Sequence, residues 1–136
     1  MKGGTNRYAL IRLGDEGYAI PLDHILDLIE NPTYESGPGK GEEAGYLNYE
    51  DRRIPIYSLG QLLGLEGPTN FLIIIRGKGS PYGLLIPERP RFQSISEEEI
   101  LPLPDLLPEL GKRILSGVIV VDSQLYGLIN PYHLIQ

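Results

Sequence analysis

Hydrophobic and polar residues alternate along the chain in short runs that are separated by turn-forming residues. Pairs of β-prone runs joined by Gly, Asp, Glu, Ser or Gln predict β-hairpins. Four hairpins are predicted, with strands at 8–13 and 18–20, 46–49 and 52–56, 71–75 and 82–86, and 114–121 and 125–129. Short strands with frequent turns are typical of small antiparallel barrels rather than of a parallel α/β sheet.

The predicted helices are few and short. After Pro21, an amphipathic helix is predicted from apolar residues at the spacing i, i+3, i+4, i+7, namely Leu22, Ile25, Leu26 and Ile29. Ser58 is predicted to cap a second helix, and Ser96 with Glu99 fits a capping box. Asn130 precedes a proline and begins a final helical turn.

One pattern recurs along the chain and suggests two similar halves within a single domain, residues 1–136. A strand ends in Ile-Pro at 20–21 and 54–55, and in Ile-Asn-Pro at 129–131, and a short helix is predicted after each. The halves are expected to meet near 64–70, with the termini exchanged between them. The stretch 31–44 is rich in Gly and Pro and is expected to be an exposed loop.

Composition narrows the classes of partner. The chain carries 12 Lys and Arg against 18 Asp and Glu, a net charge of −6. Because nucleic-acid binding draws on Lys and Arg that neutralise phosphates, neither nucleic acid nor an anionic membrane is an expected partner. The apolar run 71–75 is far shorter than the roughly 18 residues of a membrane span, so no membrane insertion is predicted. No secretory signal is visible, and the expected location is the cytoplasm.

The chain offers no pattern of residues that is typical of catalysis. His24 and His133 lack metal-ligand spacing, the serines lack a G-x-S-x-G elbow, and 76–80 lacks phosphate-loop spacing. Cysteine is absent, which excludes thiol chemistry. No enzyme activity, metal or cofactor is therefore predicted. Nine Tyr against two Phe and no Trp favour a binding protein, because tyrosine is enriched at interfaces.

Several segments, in their order along the chain, resemble the CheW-like family of bacterial chemotaxis coupling proteins. They are Leu-Gly-Asp-Glu-Gly-Tyr-Ala-Ile-Pro at 13–21, Gly-Tyr-Leu-Asn at 45–48, Ile-Pro-Ile-Tyr-Ser-Leu at 54–59, Tyr-Gly-Leu-Leu-Ile at 82–86, and the stretches 96–104 and 114–135. The resemblance implies a mostly β fold of two SH3-like antiparallel β-barrel subdomains that share a hydrophobic seam, with a few short helices.

The same resemblance implies a function without catalysis. Family members act as adaptors that couple the cytoplasmic tip of a chemoreceptor to the regulatory domain of a CheA-type histidine kinase in a two-component pathway. The implied contact surface includes Ile25 and Asp27 on the first predicted helix, with Asn48, Tyr49 and Glu50 at the second hairpin. An alternative function is that of a small β-barrel module that binds a peptide or small ligand outside chemotaxis.

The second hairpin departs from the family pattern. After the asparagine the family usually has Leu-Arg-Gly, whereas this chain has Tyr49, Glu50 and Asp51. Glu50 reverses a charge, and like charges that meet across an interface can cost several kcal/mol. A partner that is acidic at this point is expected to be repelled.

Overall fold

Two β-sheets form from different parts of the chain. The computed structural model describes residues 4–37, 43–65, 67–105 and 109–135. Unit 1 consists of residues 1–24 and 90–136, and unit 2 of residues 25–89. The predicted boundary at 64–70 lies inside unit 2, and both terminal segments belong to unit 1. The chain passes between the units at 24–25 and 89–90 instead.

The elements of the described residues are mostly strands. In chain order the strands are β1 (Thr5–Leu13), β2 (Glu16–Pro21), β3 (Ile25–Glu30), β4 (Glu35–Ser36), β5 (Gly45–Tyr49), β6 (Arg52–Ser58), β7 (Phe71–Ile75), β8 (Tyr82–Ile86), β9 (Arg91–Ser96), β10 (Leu115–Val121) and β11 (Gln124–Ile129). The α-helices are α1 (Leu59–Leu62), α2 (Glu109–Ile114) and α3 (Pro131–Leu134), and 3₁₀ turns cover Leu22–His24 and Glu97–Glu99.

Unit 1 contains a five-stranded sheet in the order β10-β11-β2-β1-β9. The hairpins β1–β2 and β10–β11 are antiparallel, as predicted, and β11 joins β2 in parallel at Gly127 and Leu128. Alternate residues of these strands form a core, which consists of Tyr8, Leu10, Ala19, Ile95, Ile119, Val121, Tyr126 and Leu128.

Unit 2 contains a six-stranded sheet in the order β3-β7-β8-β6-β5-β4. The predicted hairpins β5–β6 and β7–β8 are both present, and β6 joins β8 in parallel. The core consists of Ile54, Ile56, Leu72, Ile74 and Leu85. Partly buried side chains that include Ile29, Leu47 and Tyr49 pack against it.

The helix predicted after Pro21 is wrong. Only Leu22–His24 form a 3₁₀ turn, and residues 25–30 form β3. The spacing of the apolar residues fits a helix equally well, but Ile25, Leu28 and Ile29 pair with β7, which is a nearly continuous run of buried residues. Short apolar runs are compatible with either a helix or a strand. Pairing with β7 therefore decides that residues 25–30 form a strand. Ile25 and Asp27 therefore lie on a strand.

The stretch 31–44 is not entirely loop. Glu35 and Ser36 form β4 and pair with Tyr46 and Gly45 of β5. Tyr34 packs against the core of unit 2. Residues 38–42 of the predicted loop lie outside the described residues.

The predicted helix caps are confirmed. The Ser58 Oγ accepts a hydrogen bond from the Gln61 amide, and the Asn130 side chain accepts one from the Tyr132 amide. Ser96 and Glu99 form a reciprocal capping box. Across the described ranges, no helix is long and apolar enough to cross a membrane.

Candidate functional site

The five residues predicted at the contact surface all belong to unit 2. Ile25 and Asp27 lie on β3, Asn48 and Tyr49 end β5, and Glu50 begins the turn to β6. Strand register divides them between the two faces of the sheet, because neighbouring residues on a strand point to opposite faces.

One face carries Asp27 and Tyr49. Asp27 pairs with Ile74, a core residue, and Tyr49 packs against the same core. The opposite face carries Ile25, which pairs with Ile75, and Asn48, which precedes Tyr49 on β5. The structure therefore brings Asp27, Tyr49 and Glu50 together but leaves Ile25 and Asn48 on the other face of the sheet.

A cleft of about 290 Å³ opens beside Tyr49 and Glu50. Its lining comes from β3, the β5–β6 turn and the β7–β8 loop, and consists of Leu26, Tyr49, Glu50, Arg52, Arg76, Gly77, Gly79, Ser80 and Pro81. We call this feature the unit 2 cleft. It combines apolar side chains with charges of both signs.

Leu26 is placed at the cleft by an irregularity in β3. The register between β3 and β7 shifts between Ile25 and Asp27, so that Leu26 is an extra residue on its strand. A bulge of this kind re-aims a side chain. Leu26 is 40% exposed, which is unusual for a leucine on a strand whose neighbours pack into a sheet.

Asp27 has a structural contact in addition to its place near the cleft. Its Oδ1 accepts a hydrogen bond of 2.8 Å from the Leu28 amide. β3 is an edge strand of the unit 2 sheet, and unpaired amides on such edges invite pairing with other chains. The Asp27 carboxylate therefore contacts the backbone of its own edge strand.

Two carboxylates act on the Tyr49 phenol. Burial raises the pKa of the Tyr49 phenol, and the carboxylates of Glu50 and Asp27 raise this pKa further, because negative charge nearby disfavours the phenolate. These two acids thus act on the same side chain at the edge of the cleft.

The opposite face of the β5–β6 hairpin is held by a stacked arginine. The Arg53 guanidinium lies 4.2 Å from the centre of the Tyr46 ring and 3.3 Å from the Glu35 carboxylate. Asn48 is exposed on this face, directly across from Arg53. These contacts tie β4, β5 and β6 together, so this face has an evident structural role.

Leu26 and Arg52 line the cleft but are not predicted from the sequence. A helical interpretation of 22–29 assigned Leu26 to the buried face, and only the strand register with its bulge shows it exposed. Arg52 could have been found, because it follows the two turn residues and must therefore pair with Tyr49.

In the part of the chain that the structure describes, no three His, Cys, Asp or Glu side chains lie close enough together to hold a metal ion. Of the two histidines, His24 packs edge-to-face on Tyr132, with ring centres 4.8 Å apart. His133 is exposed on α3.

Comparisons with known proteins agree with one another. A family model described as the CheW-like domain matches residues 7–136. A probable chemotaxis protein CheW of Rhizobium etli is 20% identical over 135 residues, and the chemotaxis protein CheW of Rhizobium meliloti is 19% identical over 135 residues. Each of these matches covers 96% of this chain and 87% of the relative.

A solved structure has the same fold. The scaffolding protein TtCheW from Thermoanaerobacter tengcongensis matches with a TM-score of 0.84 and 18% sequence identity. The match covers 98% of this chain and 89% of the other chain. The predicted fold class, mostly β with two SH3-like subdomains, is thereby confirmed.

Proposed function

The chain belongs to the CheW-like family, and we propose that it is a chemotaxis adaptor that couples the cytoplasmic tip of a chemoreceptor to the regulatory domain of a CheA-type histidine kinase. The observation that carries the adaptor role is the family match, which extends over residues 7–136. The two relatives named as chemotaxis proteins and the scaffolding protein of the same fold support it.

An adaptor of this kind works by binding rather than by catalysis. Its partners are cytoplasmic, and we place the chain in the same compartment, with neither nucleic acid nor a membrane among its direct partners. The net charge of −6 agrees with protein partners, because it disfavours phosphate backbones and anionic lipids.

The unit 2 cleft with its rim is our candidate for the kinase contact. Protein interfaces commonly have an apolar centre within a polar rim. Leu26 and Tyr49 supply apolar surface here, and Glu50 and Arg52 supply charges that would fix the register of a partner. Of the five residues predicted for the contact surface, Asp27, Tyr49 and Glu50 are the ones that we assign to this contact.

Ile25 and Asn48 receive a different assignment within the proposal. Both lie on the face of the sheet opposite to the cleft. A partner seated in the cleft would not reach them, so we propose that they matter only for a second contact, such as that with the receptor tip.

Paired substitutions in the two units test the kinase contact. Leu26 and Phe92 are both 40% exposed, but only Leu26 lines the unit 2 cleft. We expect Leu26→Asp to weaken binding to the cognate kinase regulatory domain by about tenfold or more, as truncation of a central apolar contact does. Phe92→Asp is the matched control and should leave the affinity unchanged. Isothermal titration calorimetry gives both affinities, and circular dichroism checks that each variant is folded.

A pull-down from the native cytoplasm, followed by mass spectrometry, tests the adaptor role as a whole. Recovery of a histidine kinase or a chemoreceptor is the expected result. If neither is recovered and no binding is seen by titration, the adaptor proposal is wrong, and a small β-barrel module with a peptide or small ligand becomes the better explanation.

A further inference from the structure

Glu50 occupies a backbone position that does not favour its residue type. Glu50 and Asp51 form the two-residue turn of the β5–β6 hairpin, with φ angles of 48° and 64°. Gly, Asn and Asp are the residues that such left-handed turn positions accept at low cost. The turn alone therefore does not account for a glutamate at this position. Strained residues are often retained where they have a function.

An ion pair within the molecule does not explain the glutamate at position 50 either. Over the ranges that the structure describes, its carboxylate makes no ion pair and no side-chain hydrogen bond. Other acids of unit 2 are paired, since Glu35 contacts Arg53 at 3.3 Å and Glu30 contacts Arg89 at 3.4 Å. Within the described residues Glu50 thus has no ion-pair partner, although Arg52 and Arg76 line the same cleft.

The charges around the cleft are segregated by element. Asp27 on β3 and Glu50 in the turn are negative and both act on Tyr49. Arg52 at the start of β6 and Arg76 after β7 are positive and also line the cleft. A partner fits this arrangement if it places a cation beside Asp27 and Glu50, away from the two arginines, and covers Leu26 with an apolar side chain.

The size of the cleft distinguishes between the two proposed partners. An amphipathic helix binds in a groove that receives several anchors at i, i+3, i+4 and i+7. A volume of about 290 Å³ with Leu26 as its exposed aliphatic side chain has room for one or two side chains only. Such a site suits a loop or hairpin on a folded domain better than the helical tip of a receptor.

We propose that Glu50 determines the specificity of the unit 2 cleft, and that the cognate kinase regulatory domain presents a lysine or arginine to it beside an apolar side chain that covers Leu26. The inference rests on the proposed adaptor function and adds the chemistry of the partner. It implies that the kinase of this system differs in charge from kinases that are acidic at this point.

Matched charge variants of the turn test the inference. The probe is the regulatory domain of the cognate CheA-type kinase, titrated against the full chain. We expect Glu50→Gln to weaken binding about threefold, as loss of an exposed ion pair does, and Glu50→Arg to weaken it about tenfold or more through like-charge repulsion. Asp51→Asn is the control, because it removes one charge from the same turn, keeps a residue that tolerates positive φ, and does not line the cleft.

Salt dependence and a compensating change on the kinase complete the test. The loss caused by Glu50→Gln should shrink at high ionic strength, because exposed charge pairs are screened. Reversal of the contacting lysine or arginine on the kinase to glutamate should restore binding to the Glu50→Arg variant.

The outcomes distinguish a failure of the inference about Glu50 from a failure of the proposed adaptor function. If the wild-type chain binds neither the kinase domain nor the receptor, the adaptor function itself is wrong. If wild-type binding is tight and Glu50→Arg binds the cognate kinase equally well or better, only the inference about the partner's charge is overturned. If Glu50→Arg instead weakens binding to the receptor tip alone, the kinase is not the occupant of the cleft.

Discussion

Unit 1 and unit 2 assemble their sheets from corresponding parts in a different chain order. In unit 1 the hairpin β10–β11 joins hairpin β1–β2 through a parallel pair, β11 with β2. In unit 2 the hairpin β5–β6 joins hairpin β7–β8 through a parallel pair, β6 with β8. The orders β10-β11-β2-β1-β9 and β5-β6-β8-β7-β3 therefore correspond strand by strand.

The difference lies in where the chain is interrupted. Unit 2 is one continuous segment, whereas in unit 1 the hairpin that corresponds to β7–β8 is supplied by the first 24 residues. Unit 1 is thus related to unit 2 as a circular permutation of the strand order. Helices α1 and α3 follow β6 and β11, the corresponding strands. The prediction that a strand ends at 54–55 is wrong, however, because β6 continues through Pro55 to Ser58.

The corresponding hairpin turns also differ. Asp122 and Ser123 link β10 to β11 with φ angles of 52° and 65°, much like those of Glu50 and Asp51. The Asp122 carboxylate lies 3.0 Å from the Arg91 guanidinium, so this acid is paired within unit 1. At equivalent turns, Asp122 therefore forms an ion pair within its unit, whereas Glu50 lines a cleft without one.

The largest expected effect comes from truncating each core. Ile119 of unit 1 and Ile74 of unit 2 are fully buried, and Ile→Ala at either site should lower the free energy of unfolding by about 3 kcal/mol. The core residues given above for unit 1 and for unit 2 are different residues of the described chain. The milder pair Ile119→Val and Ile74→Val should therefore be additive to within about 0.5 kcal/mol. Urea denaturation measures both, and clear non-additivity would show that the cores are energetically coupled.

Glycines on the corresponding strands β2 and β8 should respond differently to alanine. A methyl group at Gly17 would lie 2.8 Å from the backbone oxygen of Leu125, whereas at Gly83 it would meet the end of the Leu72 side chain at 2.8 Å. A backbone atom cannot move aside as a side chain can. We expect Gly17→Ala to lower the free energy of unfolding by about 2 kcal/mol and Gly83→Ala by less than about 1 kcal/mol. Equal costs in urea denaturation would contradict the distinction.

Helix caps at equivalent positions should differ modestly. Asn130 accepts the Tyr132 amide hydrogen bond at 3.0 Å, and Ser58 accepts that of Gln61 at 3.4 Å. Because the shorter contact has the better geometry, Asn130→Ala should cost about 1 kcal/mol and Ser58→Ala about half as much. The shift of the thermal midpoint of each variant, converted with the calorimetric enthalpy, provides the comparison. A larger loss for Ser58→Ala would mean that this side chain does more than cap α1.

Local chemistry made much of the fold predictable. The four hairpins follow from β-prone runs and turn residues, and the caps at Ser58, Ser96 and Asn130 follow from side chains that accept backbone hydrogen bonds. The conformation of β3 was not predictable in this way. Its apolar spacing fits a helix, and only pairing with β7, more than 40 residues further along the chain, makes it a strand.

The candidate site was predictable only in part for a related reason. The departure of Glu50 from the family pattern is visible in the sequence, and the structure places Glu50 at the cleft. The exposure of Leu26 depends on a bulge that no local pattern indicates. The permuted order of unit 1 likewise depends on long-range pairing, so local patterns in the sequence do not indicate the passages between units at 24–25 and 89–90.

The smallest expected effect is a difference in the free energy of unfolding between variants of the two hairpin turns. Arg91→Gln removes the ion pair with Asp122, whose side chains are 55% and 76% exposed, and should lower the free energy of unfolding by about 0.5 kcal/mol at low salt. Glu50→Gln removes no internal partner and should change stability by less than about 0.2 kcal/mol.

High salt should remove the Arg91→Gln effect, since exposed pairs are screened, and a double-mutant cycle with Asp122→Asn should give a coupling energy of the same size. Asparagine suits the control because it tolerates the positive φ at position 122. If Glu50→Gln proves as destabilising as Arg91→Gln, then Glu50 is paired within unit 2. In that case the Glu50 charge stabilises the fold, as that of Asp122 does, and the two hairpin turns no longer differ in this respect.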